Sequence, residues 1–397
     1  MIIMKTNYFF LSMCILFLSL KGIAQEESTY EIFKNQPINF GGTTGEDNEV
    51  TRLENGRVVY KKVTVPAYPL GTDVKITLTL RSNGDRWDKS GSCFVVSDPN
   101  QISILSVSKG ENEFPDSSSI KDKFKGVLPT ENYKPVVELL RFMTPFGVGH
   151  FSNDEGKHRK PVYIPVWEKE VVWEQDISAL TSIVSETFYI GVWIDSWTEE
   201  GYTIDLSLTY SNRPKKQLKV IPLVNTIPYV KGQSLPDFFA NSSLNHTFKL
   251  NKNIKKVQLH YTTTGHGGHS GGDEFIKIKN SVFVNNKLVL DTIPWRDDCA
   301  SFRRFNPTSG VWLKKDSASY IDFEARAYKV KEIEERIASS DLSRSNWCPG
   351  SFVKPFVTDL GDLEAGSHTI EISIAATEAF DDKLNHWLVS AYLTYEE

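Results

Sequence analysis

Along most of the chain, apolar and polar side chains alternate with a period of two residues. The clearest case is residues 202–210, where tyrosine, isoleucine and leucine alternate with threonine, aspartate and serine. The alternation recurs in residues 74–81, 257–261, 370–374 and 389–395. Half-buried antiparallel strands show this pattern, whereas buried parallel strands form continuous apolar runs. Many such strands, separated by loops rich in glycine, proline, asparagine and aspartate, predict an all-β fold of antiparallel sandwiches.

The length and a polar connection in mid-chain predict two domains. The chain has 397 residues, of which 40% are hydrophobic and 12% aromatic, which excludes a disordered chain and allows sizeable cores. Residues 211–218 are mostly polar, contain Pro214 and separate two strand-rich halves. We therefore expect one domain at residues 26–213 and a second at residues 214–397.

Residues 1–24 have the pattern of a secretory signal peptide. Lys5 precedes an apolar run at residues 8–20, and Gly22 and Ala24 are the small residues before Gln25. The run is short for a membrane span, and no other segment approaches its length. We expect cleavage and export to the periplasm, the cell surface or the medium, with no stable membrane span.

Charge and cysteine content narrow the partners and the compartment. The formal net charge is −5 and no basic stripe stands out, which argues against nucleic acid as a partner. We expect a monomer. Cys93, Cys299 and Cys348 remain after processing, and an exported chain can keep disulfides. One bridge and one free thiol is the simplest allocation, and spacing alone leaves the pairing open.

One segment departs from the β pattern. Residues 320–337 are rich in helix-forming residues, and their apolar positions recur roughly every three to four residues. This pattern predicts one surface helix, inserted in the second domain and covering a sheet.

Five short segments combine charged and aromatic residues in a distinctive order. In the first half they are Asp85-Arg86-Trp87-Asp88-Lys89, Arg141-Phe142-Met143-Thr144-Pro145-Phe146 and Trp193-Ile194-Asp195-Ser196-Trp197. In the second half they are Gly265-His266-Gly267 leading to Gly272-Asp273-Glu274-Phe275, and Arg344-Ser345-Asn346-Trp347-Cys348-Pro349-Gly350. Together they resemble, in order, segments of the peptide-N-glycosidase F family. The resemblance implies two jelly-roll antiparallel β-sandwich domains packed side by side, with the active site in the cleft between them.

The resemblance also implies an activity and a set of site residues. It implies an amidase that hydrolyses the glycosylasparagine linkage of N-glycosylated proteins or peptides, releasing the intact glycan and leaving aspartate. Such hydrolysis needs a base for water, a donor for the oxyanion and a proton for the leaving amine, which carboxylates and a guanidinium supply without a cofactor or metal. The expected catalytic residues are Asp88, Glu274, Asp195 and Arg344. The expected sugar-binding residues are Trp87, Trp197, His266, Trp347 and Lys89.

Each of these assignments has a plainer alternative. Asp88 would orient or activate water, or else be an ordinary turn residue. Glu274, expected at the start of a strand, would bind sugar or share a proton with Asp88, or else be a solvated charge. Arg344 would polarise the amide or keep Asp88 ionised, or else form a surface salt bridge. Trp347 and Trp87 would be sugar platforms or core residues, and burial is the stronger alternative at Trp87.

Strand parity gives Asp195 independent support. Apolar residues at positions 188, 190, 192 and 194 occupy one face, which leaves Tyr189, Trp193, Asp195 and Trp197 on the other. A carboxylate among aromatic side chains suits a sugar hydroxyl. The alternative is a domain-interface face on which Asp195 pairs with lysine or arginine.

The chain departs from the family pattern at several positions. Asp195 stands where the family has glutamate, Lys89 where it has arginine and His266 where it has tryptophan. The resemblance pairs Cys299 with Cys348, leaving Cys93 free and buried.

Other functions remain open on sequence grounds. A glycan-binding protein could keep the fold without the amidase activity, and a glycosidase also uses paired carboxylates. A copper monooxygenase needs several histidines and a methionine ligand, which dispersed histidines and the single methionine left after processing, Met143, disfavour. A metal site at His266 and His269, with Asp273 and Glu274, lacks a third histidine nearby.

Overall fold

A computed structural model describes most of the chain and confirms the all-β class. The described residues are 27–42, 45–47, 49–96, 98–117, 124–150, 164, 166–267, 272–377 and 385–397. The expected signal peptide lies outside them.

In the described part of the first half there are ten strands. They are β1 (Ser28–Ile38), β2 (Gly45–Asp47), β3 (Val50–Leu53), β4 (Val58–Thr64), β5 (Val74–Ser82), β6 (Ser90–Val96), β7 (Val137–Met143), β8 (Val171–Asp176), β9 (Thr187–Ile194) and β10 (Tyr202–Tyr210). A short helix, α1 (Ile104–Ser108), and 3-10 turns at Glu54–Gly56 and Ser178–Ile183 lie between them.

Among its described residues, the second half contributes eleven more strands. They are β11 (Lys219–Asn225), β12 (Leu244–Leu250), β13 (Ile254–His266), β14 (Asn280–Val284), β15 (Lys287–Thr292), β16 (Val311–Asp322), β17 (Ala327–Ala338), β18 (Phe352–Val353), β19 (Phe356–Leu363), β20 (Gly366–Ile374) and β21 (His386–Glu396). Its 3-10 turns are Phe238–Ala240, Asp273–Phe275, Cys299–Phe305 and Ser339–Asp341.

The first sandwich packs a four-stranded sheet against a seven-stranded sheet. The strand orders are β1-β10-β5-β8 and β18-β7-β6-β9-β4-β3-β2. The alternation seen in the sequence is the burial pattern of β5, where Val74, Ile76, Leu78 and Leu80 are buried and the residues between them are not. These side chains meet those of β9 in one core. Burial of one face of each sheet is therefore what the period-two pattern encodes.

The second sandwich joins two four-stranded sheets. Their orders are β11-β21-β13-β19 and β12-β20-β14-β15. Leu259 and Tyr261 on β13, Ile370 and Ile372 on β20, and Val389 on β21 share the core between them. The two-sandwich architecture is therefore confirmed.

The two sandwiches meet across the outer face of the seven-stranded sheet. Phe94 and Trp193 on that face pack against Tyr229, whose ring centroid lies 4.5 Å and 6.0 Å from theirs. The connection between β10 and β11 lies where the domain boundary was expected. The limits at residues 213 and 214 stay a prediction, because β18 of the second half adds an edge to the first domain's sheet.

The helix predicted at residues 320–337 is wrong. These residues belong to a β-hairpin, formed by β16 and β17 paired from Val311↔Ala338 to Asp322↔Ala327, which we call the hairpin arm. Arg326, at φ 49°, lies in the turn that reverses the chain. Local helix propensity is weak, and pairing with β16, which no local pattern shows, outweighs it.

The structure confirms the cysteine allocation. Cys299 and Cys348 form a disulfide with a Cα–Cα distance of 5.1 Å, and Cys93 is free and buried. In the described part of the chain, no helix is long and apolar enough to cross a bilayer.

Candidate active site

The loop that carries Asp88 is held in place by two buried hydroxyls. It joins β5 to β6 and so crosses from one sheet of the first sandwich to the other. The Tyr202 hydroxyl donates to the Trp87 carbonyl at 2.8 Å, and Thr144 Oγ1 accepts from the Lys89 amide at 2.8 Å. These bonds fix the backbone on both sides of Asp88, whose side chain is 17% exposed.

Asp85, three residues before Asp88, is a structural turn residue. Its buried carboxylate accepts from the Trp87 amide at 3.1 Å and from the Ser196 hydroxyl at 2.9 Å. The first bond closes an Asx turn, and the second ties the Asp88 loop to the segment that follows β9.

Glu274 lies in a 3-10 turn, so the expected strand start is wrong. The turn is Asp273–Phe275, and β14 begins only at Asn280. Asp273 anchors the turn to the second sandwich, because its carboxylate accepts from Trp387 Nε1 at 2.7 Å and from the Thr377 hydroxyl at 2.5 Å. The anchored turn directs the Glu274 side chain, 10% exposed, toward Arg344.

Arg344 joins the two carboxylates across the domain junction. Its Nε donates to Glu274 Oε1 at 2.8 Å, and its second terminal nitrogen lies 3.7 Å from Asp88 Oδ2. The guanidinium is 2% exposed and packs between the rings of Phe275 and Trp347, 5.1 Å and 5.0 Å from their centroids. We call Asp88, Glu274 and Arg344 the acid–arginine cluster. The alternative of a surface salt bridge at Arg344 is therefore wrong.

Burial raises the pKa of both acids of this cluster. Removal from water raises the pKa of Glu274 to about 7, the nearby Asp88 charge adds to the shift, and Arg344 opposes it. Desolvation likewise raises the pKa of Asp88, against the charges of Arg344 and Lys89. Because the Asp88 charge raises the pKa of Glu274, ionisation of Asp88 favours retention of a proton on Glu274.

Asp195 lines a pocket at the sheet end that also carries the Asp88 loop. Asp195 follows β9, and its amide donates to the Ser90 carbonyl at 2.9 Å at the start of the neighbouring β6. Because β6 and β9 are antiparallel neighbours, this is the same sheet end as the Asp88 loop. The pocket, of about 300 Å³, is lined by Arg57, Ser90, Trp193, Asp195, Trp197, Pro228, Leu235, Pro236, Asp237, His386 and Leu388. We call it the cleft pocket.

The partners of Asp195 include an arginine that sequence reasoning missed. Arg57 lies 3.3 Å from Asp195 Oδ1, and Trp197 Nε1 donates to the same oxygen at 3.0 Å. Arg57 also lies over the Trp197 ring, 4.3 Å from its centroid. Trp193 and Asp195 line the same pocket, as expected for residues on one face of a strand. The arginine partner that the alternative interpretation expected for Asp195 is also found, in Arg57. No local signal linked Arg57, 138 residues away in sequence, to Asp195.

Two expected sugar contacts are buried instead. Trp347 is 3% exposed and its Nε1 donates to the Gly265 carbonyl at 2.9 Å. His266 is 7% exposed and lies between the rings of Trp347 and His386, with centroids 5.5 Å and 5.0 Å away. Neither side chain offers a free ring face. Trp347 is therefore support for Arg344 and not a sugar platform, and His266 does not take the place of a cleft-lining tryptophan.

Trp87, for which burial was the stronger alternative, is instead exposed. It is 51% exposed, with Arg86 over its ring and Phe146 at its edge, so core burial, the stronger alternative from sequence, is wrong. Trp197 is 56% exposed and is also open to a ligand. Lys89 is half-buried beside Asp88, whose pKa its charge lowers.

A second polar network, behind the site, was not predicted. Arg141 donates to both oxygens of Glu138, at 2.5 Å and 2.8 Å, and through Nη1 to Thr264 and to the Leu388 carbonyl of the second sandwich. Thr264 in turn bonds His266 at 2.8 Å. Two charged residues inside the otherwise apolar run of β7 were the available signal, because buried charges require partners.

The described residues contain no group of three or more His, Cys, Asp and Glu side chains placed to hold a metal ion. Of the metal ligands considered from sequence, His269 lies outside the described residues. His266 has its Nε2 hydrogen-bonded to Thr264, and burial lowers the pKa of His266 well below its ordinary value.

The fold and the site together define a two-sandwich, all-β protein with a buried acid–arginine cluster at the domain junction. The chain belongs to the peptide-N-glycosidase F family, whose N-terminal domain model matches residues 29–210 and whose C-terminal domain model matches residues 234–394. Among curated proteins, none matches the sequence significantly.

Solved structures give the same relationship. PNGF-II superposes with a TM-score of 0.81 and 34% identity, over 94% of this chain and 66% of that one. The chain thus spans about two thirds of the length of PNGF-II. PNGase F, a glycosylasparaginase from Flavobacterium meningosepticum, superposes with a TM-score of 0.56 over 94% of this chain and 96% of that one. At 14% identity this second likeness shows the fold alone.

Proposed function

We propose that the protein is an amidase that hydrolyses the bond between an N-linked glycan and asparagine, releasing the intact glycan and leaving aspartate in the peptide. The observation that carries the proposal is the meeting of Asp88 from the first sandwich with Glu274 and Arg344 from the second. Membership of the peptide-N-glycosidase F family supports the same reaction class.

Asp88 is the base in this proposal. Its distance from Arg344, 3.7 Å, is an ion-pair distance and too long for a hydrogen bond, which leaves the carboxylate able to accept from water. Asp88 takes a proton as the water oxygen bonds to the side-chain carbonyl carbon of asparagine. The carbon–nitrogen bond to the glycosylamine then breaks. A positioned general base contributes about 10²- to 10⁴-fold to such a step.

Glu274 and Arg344 complete the proton and charge balance. Glu274, with a pKa of about 7, still carries a proton in part of the molecules near neutral pH and can give it to the departing nitrogen. Arg344 stabilises the oxyanion that forms at the carbonyl oxygen. Buried and fixed between Phe275 and Trp347, the guanidinium is already oriented before the substrate arrives.

The cleft pocket binds the first sugars of the glycan. Trp197 presents an exposed ring on which a pyranose can pack. Asp195 lines the pocket together with its partner Arg57. A guanidinium donor and a carboxylate acceptor on one wall suit a sugar hydroxyl, which both donates and accepts. Trp87 and Lys89 flank the cluster and contact the sugar nearest the amide.

The proposal also covers export, oligomeric state and the limits of the domains. The protein is exported after removal of residues 1–24, which lie outside the described residues, and it acts as a monomer on N-glycosylated proteins or peptides without a cofactor. Its domains extend over residues 26–213 and 214–397.

Asp88→Asn tests the mechanism. We expect kcat/KM on an N-glycopeptide to fall by about 10²- to 10⁴-fold, because the amide cannot accept a proton from water. Mass spectrometry reports the conversion of asparagine to aspartate together with the released glycan. Asp359→Asn, at an exposed position on β19, is the matched control and should leave turnover unchanged. Undiminished turnover by Asp88→Asn would overturn the mechanism. Retention of the glycopeptide without any turnover by the wild type would identify a glycan-binding protein instead.

A further inference from the structure

The hairpin arm extends from the second sandwich into solvent. Its strands each have twelve residues, so at about 3.4 Å per residue the arm is about 40 Å long. No other described strand pairs with either of its edges. An isolated two-stranded hairpin is marginally stable in water, and its unpaired edges can bind another polypeptide segment.

The two faces of the arm differ in exposure. Residues directly opposite in an antiparallel pair share a face, so Trp312, Ile337, Ile333 and Tyr320 lie on one face, which we call the inner face. Leu313, Ile321, Tyr328 and Val330 lie on the outer face. Tyr320 is 39% exposed and Tyr328 81%, while Ile333 and Ile337 are half-buried. The inner face is therefore the more sheltered one.

The inner face is continuous with the acid–arginine cluster. Trp312, at the base of the arm, packs on Phe275 with a centroid distance of 5.3 Å. Phe275 in turn lies against the Arg344 guanidinium, 5.1 Å away. An apolar row, interrupted by charged residues such as Lys314 and Lys331, thus begins at Phe275 beside the guanidinium and continues outward through Ile333 to Tyr320.

The base of the arm is firmly attached. Arg303, in the turn that begins at Cys299, forms an ion pair with Asp341. The Ser340 amide donates to Ser309 Oγ at 3.0 Å, and the disulfide to Cys348 closes the same region. These bonds hold the root of the inner face in a constant position relative to Arg344.

We propose that the inner face of the hairpin arm docks the polypeptide of the glycoprotein substrate, as an extended segment flanking the glycosylated asparagine. This inference rests on the proposed function. When the glycan lies in the cleft pocket and the amide at Arg344, the peptide is the part of the substrate that must leave the site. The apolar row starting at Trp312 gives its side chains a surface, and the unpaired strand edges offer backbone hydrogen bonds.

The arm itself provides a matched test. Tyr320→Ser/Ile333→Ser removes two apolar side chains from the inner face, and Tyr328→Ser/Ile321→Ser removes the same residue types from the outer face. Each variant is assayed on a glycopeptide with one residue on either side of the asparagine and on one with twelve apolar-rich residues on either side. For the inner-face variant we expect KM on the long substrate to rise about tenfold, equivalent to ~1.4 kcal/mol of binding, with kcat unchanged.

The controls separate the two proposals. On the short substrate both variants should match the wild type, and the outer-face variant should match it on the long one too. Equal KM values for long and short substrates in the wild type, or equal effects of the two variants, would overturn peptide docking while leaving the amidase intact. Absence of turnover of either substrate would overturn both proposals. Sedimentation that shows a wild-type dimer dissociated by the inner-face variant would assign the arm to self-association and overturn the docking proposal.

Discussion

At the scale of single residues, Arg344 connects the two domains at the candidate active site. Its guanidinium contacts a carboxylate from each sandwich and two aromatic rings, and it is almost completely buried. A buried cation of this kind is stable only while its acidic partners are present. The same charge keeps Asp88 and Glu274 close together in a site whose low polarity would otherwise favour protonation of both.

The raised pKa of Glu274 predicts how the stability of the protein depends on pH. Folding raises that pKa from an ordinary value of 4.5 to about 7. Between these values the folded state binds more protons than the unfolded state, so this carboxyl's contribution to stability is lost as pH rises from about 4.5 to 7. Glu274→Gln does not titrate. We therefore expect the melting temperature of Glu274→Gln, relative to the wild type, to increase from pH 5 to pH 8.

Thermal unfolding at each pH measures this difference, in which titrations of groups remote from the acid–arginine cluster cancel. Glu332→Gln, at an exposed position on the hairpin arm, is the control for the amide substitution itself. A difference in melting temperature that stays constant with pH would contradict the raised pKa of Glu274.

At the scale of elements, an irregularity in β7 creates the polar link between the domains. The register between β6 and β7 shifts between Cys93↔Leu140 and Phe94↔Glu138, which leaves Leu139 as an extra residue. A bulge of this kind changes the side-chain parity of a strand. Glu138 and Arg141, three residues apart, consequently share the face that meets the second sandwich.

The disulfide is the second decisive feature at this scale. It connects residues 49 apart and encloses the hairpin arm together with its base. In the chain-entropy description, closing such a loop stabilises the fold by about 4 kcal/mol.

We expect Cys299→Ser/Cys348→Ser to lower the free energy of unfolding by about this amount, measured by urea denaturation. Reductant should destabilise the wild type toward the variant and leave the variant unchanged. Equal urea midpoints for the two proteins would count against a stabilising role.

At the scale of the whole molecule, buried hydrogen bonds set the relative position of the two sandwiches. Arg141 reaches Thr264 and the Leu388 carbonyl, and Ser390 of the second sandwich donates to Glu138 at 2.5 Å. Because Asp88 is on one domain and Arg344 on the other, their 3.7 Å separation depends on this positioning.

Arg141→Met tests that network. The substitution leaves the buried carboxylate of Glu138 without its cation, which costs about 3–5 kcal/mol. The double variant Arg141→Met/Glu138→Leu leaves no buried charge and should be more stable than Arg141→Met alone. Denaturant unfolding of the wild type, both single variants and the double variant gives the coupling between the two side chains. Additive effects would show that the pair does not act as a unit.

The sequence alone determined the fold class, because side-chain alternation is a local consequence of burying one face of a strand. It also identified the disulfide pair and the three members of the acid–arginine cluster, through short segments resembling one family. It could not show that these members meet, since Asp88 and Arg344 lie on different domains.

Tertiary structure decided the features that depend on distant parts of the chain. Residues 327–338 form a strand and not a helix because β16 pairs with them. Trp347 is buried and Trp87 exposed because neighbouring segments cover one ring and leave the other open. The Arg57 partner of Asp195 and the bulge at Leu139 are likewise products of packing. Such contacts are decided by non-local free energies, which outweigh the small local preferences that a sequence pattern reports.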